Sequence, residues 1–348
     1  MNCYFKKYAL KFKQPGGTSR GVLYEKETYF IFLQNEEKTA IGKCNRFTKL
    51  SYDDRPNYEA KLAEICSRLP DEMEAVLQEL TEWPSIFFGI EMLLKDWGNG
   101  GNRIIFPEAI NENGFTIPTN GLIWMGSKES MLQQIKLKLD SNFKSIKLKI
   151  GAIDFDTELE LLQYIRKQFS VDEVEIRLDA NGAFTFQEAK EKIKQLSDYG
   201  ISYIEQPLQA GQWQEMAALC NNSPIKIALD EELIGIQNTS KRKELIETIQ
   251  PQILILKHAL IGGFYAADEW KKLIKNYGGS GTWVITSALE SNIGLNAIAQ
   301  YTALECSKYA QGLGTGQLFT NNCPAPYSVD ANGLHYHKNQ KWDLSALL

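Results

Sequence analysis

At 348 residues the chain exceeds one average domain, and 43% hydrophobic with 23% charged residues is the composition of a globular enzyme, which excludes a disordered or fibrous chain. A net charge of -5, with both signs spread along the sequence, leaves no basic stripe for a phosphate backbone and no polybasic anchor. Nucleic acid and membrane surfaces are therefore not expected partners. Residues 1–14 alternate and are lysine-rich, unlike a secretory signal or a membrane span, so a cytoplasmic location is expected. Cys3, Cys44, Cys66, Cys220, Cys306 and Cys323 form no CxxC pair and have no neighbouring histidine, which argues against a disulfide framework and a zinc site.

In chain order, residues 2–12, 20–34 and 38–44 alternate or are rich in aromatic and β-branched types, which predicts a small antiparallel sheet with Pro15-Gly16-Gly17 as its first turn. Helical spacing follows over about 55–69, 71–82 and 85–97, and Gly98-Asn99-Gly100-Gly101 marks a boundary. Residues 1–100 thus read as an α+β domain. From 119 the texture becomes short strands alternating with amphipathic helices. Strands are expected near 120–125, 145–150, 174–179, 202–205, 225–230, 252–257, 282–287 and 310–314. Eight such units predict a closed parallel barrel over 101–324. A doubly wound open sheet is the alternative, but Gly312-Leu313-Gly314-Thr315-Gly316 lacks the GxGxxG spacing of a dinucleotide site. Residues 325–348 contain no further unit and are expected to return to the first domain.

The chemistry sits at strand ends. Lys149, Asp179, Glu205, Asp230 and Lys257 each close an apolar run, separated by 30, 26, 25 and 27 residues, the length of one strand–helix unit. Ile146/Leu148/Ile150, Ile176/Leu178, Ile227/Leu229 and Leu254/Leu256 would face the helices. The alternating positions Lys147/Lys149, Arg177/Asp179, Tyr203/Glu205, Lys226/Asp230 and Lys257 would then face the barrel interior. Three converging carboxylates repel unless a cation lies between them, and oxygen-only ligands suit Mg2+ or Mn2+. Lys147 and Lys149 stand two strand positions apart, about 6.6 Å. At an effective dielectric near 20 their ammoniums repel by roughly 2–3 kcal/mol, enough to lower one pKa of the pair by about two units. A lysine base beside a cation-bound carboxylate suits abstraction of a proton α to that carboxylate. Taken singly each motif is ordinary: Lys-Leu-Lys a solvated strand face, Asp179-Ala180-Asn181-Gly182 a turn, Asp230-Glu231-Glu232 a helix start. Their conjunction at barrel spacing carries the reading. His258 follows Lys257 and should point outward as a structural histidine.

Through Lys147-Leu148-Lys149, Asp179-Ala180-Asn181-Gly182, Glu205-Gln206-Pro207, Asp230-Glu231 and Lys257 the chain resembles the muconate lactonising subgroup of the enolase superfamily. The resemblance implies an N-terminal α+β capping domain on a (β/α)7β modified TIM barrel, and an essential Mg2+ held by Asp179, Glu205 and Asp230. Further likeness to the o-succinylbenzoate synthase family lies in Thr18-Ser19-Arg20-Gly21, Ser287-Ala288-Leu289-Glu290-Ser291 and Gly312-Leu313-Gly314-Thr315-Gly316. It implies a small-molecule carboxylate substrate and syn elimination of water from 2-succinyl-6-hydroxy-2,4-cyclohexadiene-1-carboxylate. Lys149 would be base and then acid, Lys257 the charged stabiliser, and Lys147 their support. The same likeness marks Thr18, Ser19, Arg20, Asn181, Gly262, Ser287, Leu289, Glu290, Gly314 and Thr315 as substrate-binding. Isomerases of the subgroup, the N-succinylamino acid racemases and dipeptide epimerases, share the lysines and metal ligands. Dipeptide epimerases carry an Asp-x-Asp after strand eight, whereas residues 311–322 here contain no acid. The segment 42–54 follows the expected second capping loop only loosely. A catalytically dead barrel that binds a partner is the reading from another class, and the complete lysine and carboxylate set argues against it.

Overall fold

The computed structural model describes residues 1–18, 21–279, 281–305 and 309–348. β1 (Asn2–Thr18), β2 (Gly21–Gln34) and β3 (Thr39–Cys44) form an antiparallel sheet covered by α1 (Tyr58–Arg68), α2 (Met73–Glu79) and α3 (Pro84–Gly98). The continuous apolar run in β2 has a physical cause, because both of its faces are covered. Tyr29, Ile31 and Leu33 pack with Leu62, Ile65 and Ile90 of the helices, while Phe30 and Phe32 join the barrel core beside Phe88. α3 and β3 meet backbone to backbone. A Cβ on Gly42 would stand 2.0 Å from the Gly89 carbonyl oxygen, so a side chain at Gly42 would force the two elements apart.

The expected first turn at Pro15-Gly16-Gly17 is not found there. Pairing of β1 with β2 breaks after Lys11 and resumes at Gly16, Gly17 and Thr18 opposite Leu23, Val22 and Gly21. Pro15-Gly16-Gly17 is therefore an irregularity within β1 and not its first turn, and residues 19–20 lie outside the described residues. Close approach explains the glycines: a Cβ on Gly17 would lie 2.4 Å from the Met125 carbonyl oxygen.

After the short β4 (Phe115–Ile117) come the parallel strands β5 (Gly121–Ile123), β6 (Ser145–Lys149), β7 (Glu175–Asp179), β8 (Ile201–Glu205), β9 (Lys226–Leu229), β10 (Ile253–Leu256) and β11 (Thr282–Ile285), hydrogen-bonded in sequence order. The connecting helices are α4 (Lys128–Asp140), α5 (Phe155–Arg166), α6 (Phe186–Leu196), α7 (Trp213–Asn222), α8 (Thr239–Ile249), α9 (His258–Ile261) and α10 (Gly263–Tyr277), followed by α11 (Asn292–Leu304). The outward-facing strand residues named above are buried against helix side chains such as Ile135, Leu162, Ile193, Ile246 and Ala267. Inside, Tyr203, Ala228, Ile253, Ile255 and Val284 form a separate cluster, and the Arg177 guanidinium lies 5.3 Å from the Tyr203 ring centroid. Lys226 departs from the interior set: it is exposed at the first position of β9.

The expected eighth strand is reduced to two bridges, Thr119 to Gln311 and Thr286 to Gly312. They still close the barrel. The Gln311 N–H donates to the Pro118 carbonyl at 2.7 Å and the Gly312 N–H to the Ile285 carbonyl at 2.9 Å, joining both sheet edges. A longer ladder is pre-empted because the Gln311 side chain accepts the Ile285 N–H at 2.7 Å. In the C-terminal segment β12 (Tyr327–Asp330) pairs with β13 (Gly333–Tyr336), and β13 pairs with β4, while Lys6 of β1 donates to the carbonyls of Leu347 and Leu348, each at 3.0 Å.

Glu91 on α3 ties the capping domain to the barrel by accepting the N–H groups of Phe264 (2.6 Å) and Tyr265 (3.1 Å) at the start of α10. Burial pushes its carboxyl from 4.5 up to about 7. A folded-state pKa above the unfolded one means stability that is present below about 4.5 and lost as pH rises through about 7. Glu91→Gln is expected to remove on the order of 3 kcal/mol of the fall in unfolding free energy between those limits. Urea unfolding of both proteins at pH 4.5 and 7.5 reads this directly, and equal pH slopes would count against the assignment.

Candidate active site

The register of β6, β7 and β8 places Lys149 beside Asp179 and Asp179 beside Glu205, so three strands end level on one rim. Asp230 and Lys257 follow directly after β9 and β10. Lys147 Nζ donates to Asp179 Oδ2 at 2.9 Å and to Glu205 Oε2 at 2.7 Å. Lys149 Nζ donates to the same Asp179 oxygen at 2.6 Å and to Asn181 Oδ1 at 2.7 Å. Lys257 Nζ pairs with Asp230 Oδ2 and stands 3.6 Å from Glu205 Oε1. The two lysines of β6 thus converge on one oxygen, nearer to each other than the roughly 6.6 Å that the strand repeat implies. Asp179 between them offsets the repulsion predicted from their spacing.

All three carboxylates are buried. Burial opposes the charge of Asp179, but the Lys147 and Lys149 ammoniums outweigh it and hold the carboxyl well below the usual range. Burial and the adjacent Asp179 push Glu205 up to about 7. Asp230 is raised by burial and by Glu231, against the pull of Lys257. Burial works against the ammoniums of Lys147 and Lys257, yet Asp179 and Glu205 hold the first, and Asp230 and Glu205 the second, above the ordinary lysine value.

Among the described residues no three acidic, His or Cys side chains close on one point as the ligands of a bound metal would. Here the carboxylates close on lysine ammoniums. The donor set nevertheless fits a hard cation. It is oxygen-only, buried and at consecutive strand ends, and Glu205 Oε1 is a buried oxygen that accepts no hydrogen bond.

A cavity of about 470 Å3 opens over this row, lined by Lys147, Lys149, Asn181, Glu231 and Lys257 and roofed by capping residues Phe47 and Leu50. Of the expected substrate contacts, Asn181, Ser287, Leu289, Gly314 and Thr315 line it. Gly262 and Glu290 do not. Gly262 is the left-handed residue between α9 and α10, where a Cβ would meet Ala266, Gln237 and Pro84. Glu290 is wholly buried and pairs with Lys43 of β3. The side chains of Thr18, Ser19 and Arg20 lie outside the described residues. His258 packs away from the cavity against Phe88, Phe264 and Tyr301, and burial lowers its pKa to about 3.

Sequence reasoning quoted Gln206 and Glu231 within motifs but gave no role to them or to Phe47, Leu50 and Trp124. Gln206 Oε1 accepts the N–H groups of Asp230 (3.1 Å) and Glu232 (3.2 Å), which orients the Asp230 strand end. Glu231 accepts from Asn181 Nδ2 at 3.0 Å. Both directly follow carboxylates of the row, and that adjacency was the available signal. Trp124 directly follows β5, at the end of an expected barrel strand. Phe47 and Leu50 had no signal, because they reach the cavity only through the docking of a distant capping loop.

The Enolase C-terminal domain-like family matches residues 130–322. An o-succinylbenzoate synthase of Desulfotalea psychrophila is 42% identical over 95% of this chain and 97% of its own. A crystal structure of MenC from the same organism superposes with a TM-score of 0.84 at 38% identity, covering 96% of this chain and 99% of that one. More distant are an L-amino acid-D/L-Glu epimerase of Francisella philomiragia, 28% identical over 55% of this chain and 52% of its own, and the solved o-succinylbenzoate synthase of Thermosynechococcus elongatus. The latter, with Mg in its active site, has a TM-score of 0.73 at 22% identity, covering 92% of this chain and 95% of that one. The chain belongs to the enolase superfamily, in the branch of the o-succinylbenzoate synthases.

Proposed function

We propose that this chain is a cytoplasmic lyase that eliminates water, in the syn sense, from 2-succinyl-6-hydroxy-2,4-cyclohexadiene-1-carboxylate to give 2-succinylbenzoate for menaquinone biosynthesis. The carrying observation is the pair of lysines, Lys149 on β6 and Lys257 after β10, that line the cavity from either end of the carboxylate row. Asp179, Glu205 and Asp230 would hold Mg2+, which when bound supplies positive charge to the substrate carboxylate as the neighbouring proton leaves.

The chain's own residues carry the proton. The free amine of Lys149 takes the hydrogen α to the carboxylate; the electron pair forms the ring double bond as the C–O bond breaks. The Lys149 ammonium then protonates the departing hydroxyl, which leaves as water. Asn181 Oδ1 aims Lys149, and Asn181 is itself held by Glu231. Lys257 keeps its proton because Asp230 and Glu205 favour the charged form, and it offers a fixed positive charge from the opposite side.

A dipeptide substrate is disfavoured on the same wall. Residues 311–322 line the cavity with Gly312, Gly314, Thr315, Gln317 and Leu318 and bring no carboxylate for an ammonium group. Racemisation of N-succinylamino acids is the second reading, because two lysines on either side of a substrate carbon serve proton exchange from both faces. The test is Mg2+-dependent loss of cyclohexadiene absorbance with purified protein, run beside polarimetry on N-succinylamino acids. Fast dehydration supports the proposal; rotation change without dehydration would transfer the assignment to the racemase.

A further inference from the structure

A buried charge cluster that the proposed chemistry does not use joins the capping domain to the cavity wall. Lys43 of β3 pairs with Glu290 Oε2, and Asn45 donates to Glu290 Oε1 and, at 2.8 Å, to the Ala288 carbonyl. Lys26 of β2 donates to Asn45 Oδ1, and its ammonium lies 4.3 Å from the Phe47 ring centroid. Lys43, Asn45 and Glu290 are wholly buried and Lys26 nearly so. α11 is shaped around the carboxylate, since a Cβ on Gly294 would stand 2.1 Å from Glu290 Oε2.

From Glu290 the contacts run on to the substrate space. Its N–H donates to Thr315 Oγ1 at 3.1 Å, the Thr315 hydroxyl donates to Ser287 Oγ at 2.8 Å, and the Ser287 hydroxyl to the Gly312 carbonyl at 2.9 Å. Ser287, Ala288, Leu289 and Thr315 line the cavity, as does Phe47, two residues beyond Asn45. Leu289 has a φ of 49°, a left-handed conformation that a leucine keeps only when its surroundings over-determine it. It sits between the two anchored points, the Ala288 carbonyl and the Glu290 carboxylate. Buried ion pairs are weak contributors to stability, which leaves the geometry they impose as the physical reason for such a cluster.

We propose that Glu290 is a positioning residue: clamped by Lys43 and Asn45, it sets the wall Ser287–Leu289 against Phe47 and so the fit of the substrate's non-reacting arm. Only the identity of that arm, a succinyl chain, rests on the proposed dehydration. Glu290 touches no substrate and acts through the wall.

The test is the double variant Lys43→Met/Glu290→Gln, which removes both charges of the pair, with Asn45→Ser as a charge-neutral second variant that loses the reach to Ala288. Thermal unfolding, kcat and KM for dehydration, Mg2+ affinity and amide hydrogen exchange over 42–50 and 286–291 are measured. The double variant is expected to fold, to exchange faster in both segments together, and to lose kcat/KM on the order of a hundredfold, chiefly through KM. Asn45→Ser is expected to change in the same sense by several-fold, and Mg2+ affinity to stay unchanged in both. Folded variants with wild-type KM and exchange, whatever their melting temperature, would overturn the clamp. A wild-type protein that fails to dehydrate the substrate would count against the proposed function alone, because the exchange of the two segments still decides the clamp.

Discussion

Lys149→Ala is expected to lower kcat for dehydration by about a thousandfold or more, because one nitrogen serves as base in the first half of the reaction and as acid in the second. The fold should tolerate the change. Lys149 lies at the cavity edge of the row, and its removal leaves Asp179 paired with Lys147 at 2.9 Å. KM should move little, since the lost interaction belongs to the transition state. Lys257→Ala is expected to lose about 10²- to 10³-fold, the scale of removing one fixed charge from a developing anion. The asymmetry discriminates between readings: a racemase needs both lysines as bases in turn. Equal losses in the two variants, with exchange of solvent deuterium into N-succinylamino acids abolished in both, would favour the racemase.

The second large effect concerns the carboxylates. Chelation of the wild-type protein is expected to abolish dehydration and added Mg2+ to restore it. Glu205→Gln should lower activity by about a thousandfold, the several kcal/mol that a cation's charge supplies to such a transition state. Calorimetric titration of Mg2+ without substrate provides a readout apart from turnover, and Glu205→Gln should weaken that binding. Asp179→Asn carries a further penalty. Lys147 and Lys149 both donate to Asp179 Oδ2, so neutralising it leaves buried ammoniums undercompensated, at about 3–5 kcal/mol of stability. Urea unfolding should therefore show Asp179→Asn well below wild type. Turnover indifferent to chelation would remove the metal from the proposal.

The row of lysines and carboxylates was legible because a barrel converts sequence into geometry in a simple way. Each strand–helix unit returns the chain to the same rim, and side-chain alternation fixes which residues face inward. Given those two rules, Asp179, Glu205 and Asp230 had to fall on one rim. Glu290 shows where such reasoning stops. It lies in the loop after β11, among residues that do line the cavity, yet its carboxylate turns to Lys43, 247 residues away. Nothing local distinguishes it from Leu289, because the choice is made by a partner in another domain. The eighth strand failed for a similar reason: a side chain, that of Gln311, took the hydrogen bond that a backbone ladder would have used.

The sequence by itself determined the βα periodicity, the inward and outward faces of the strands, and the kind of chemistry at their ends, because these follow from local spacing and steric alternation. Only the tertiary structure decided how Lys147 and Lys149 share Asp179, which residues roof the cavity, and which polar side chains serve the clamp. Those outcomes depend on the docking of one domain on the other, where burial selects a partner for every charge and the sequence distance between partners carries no information.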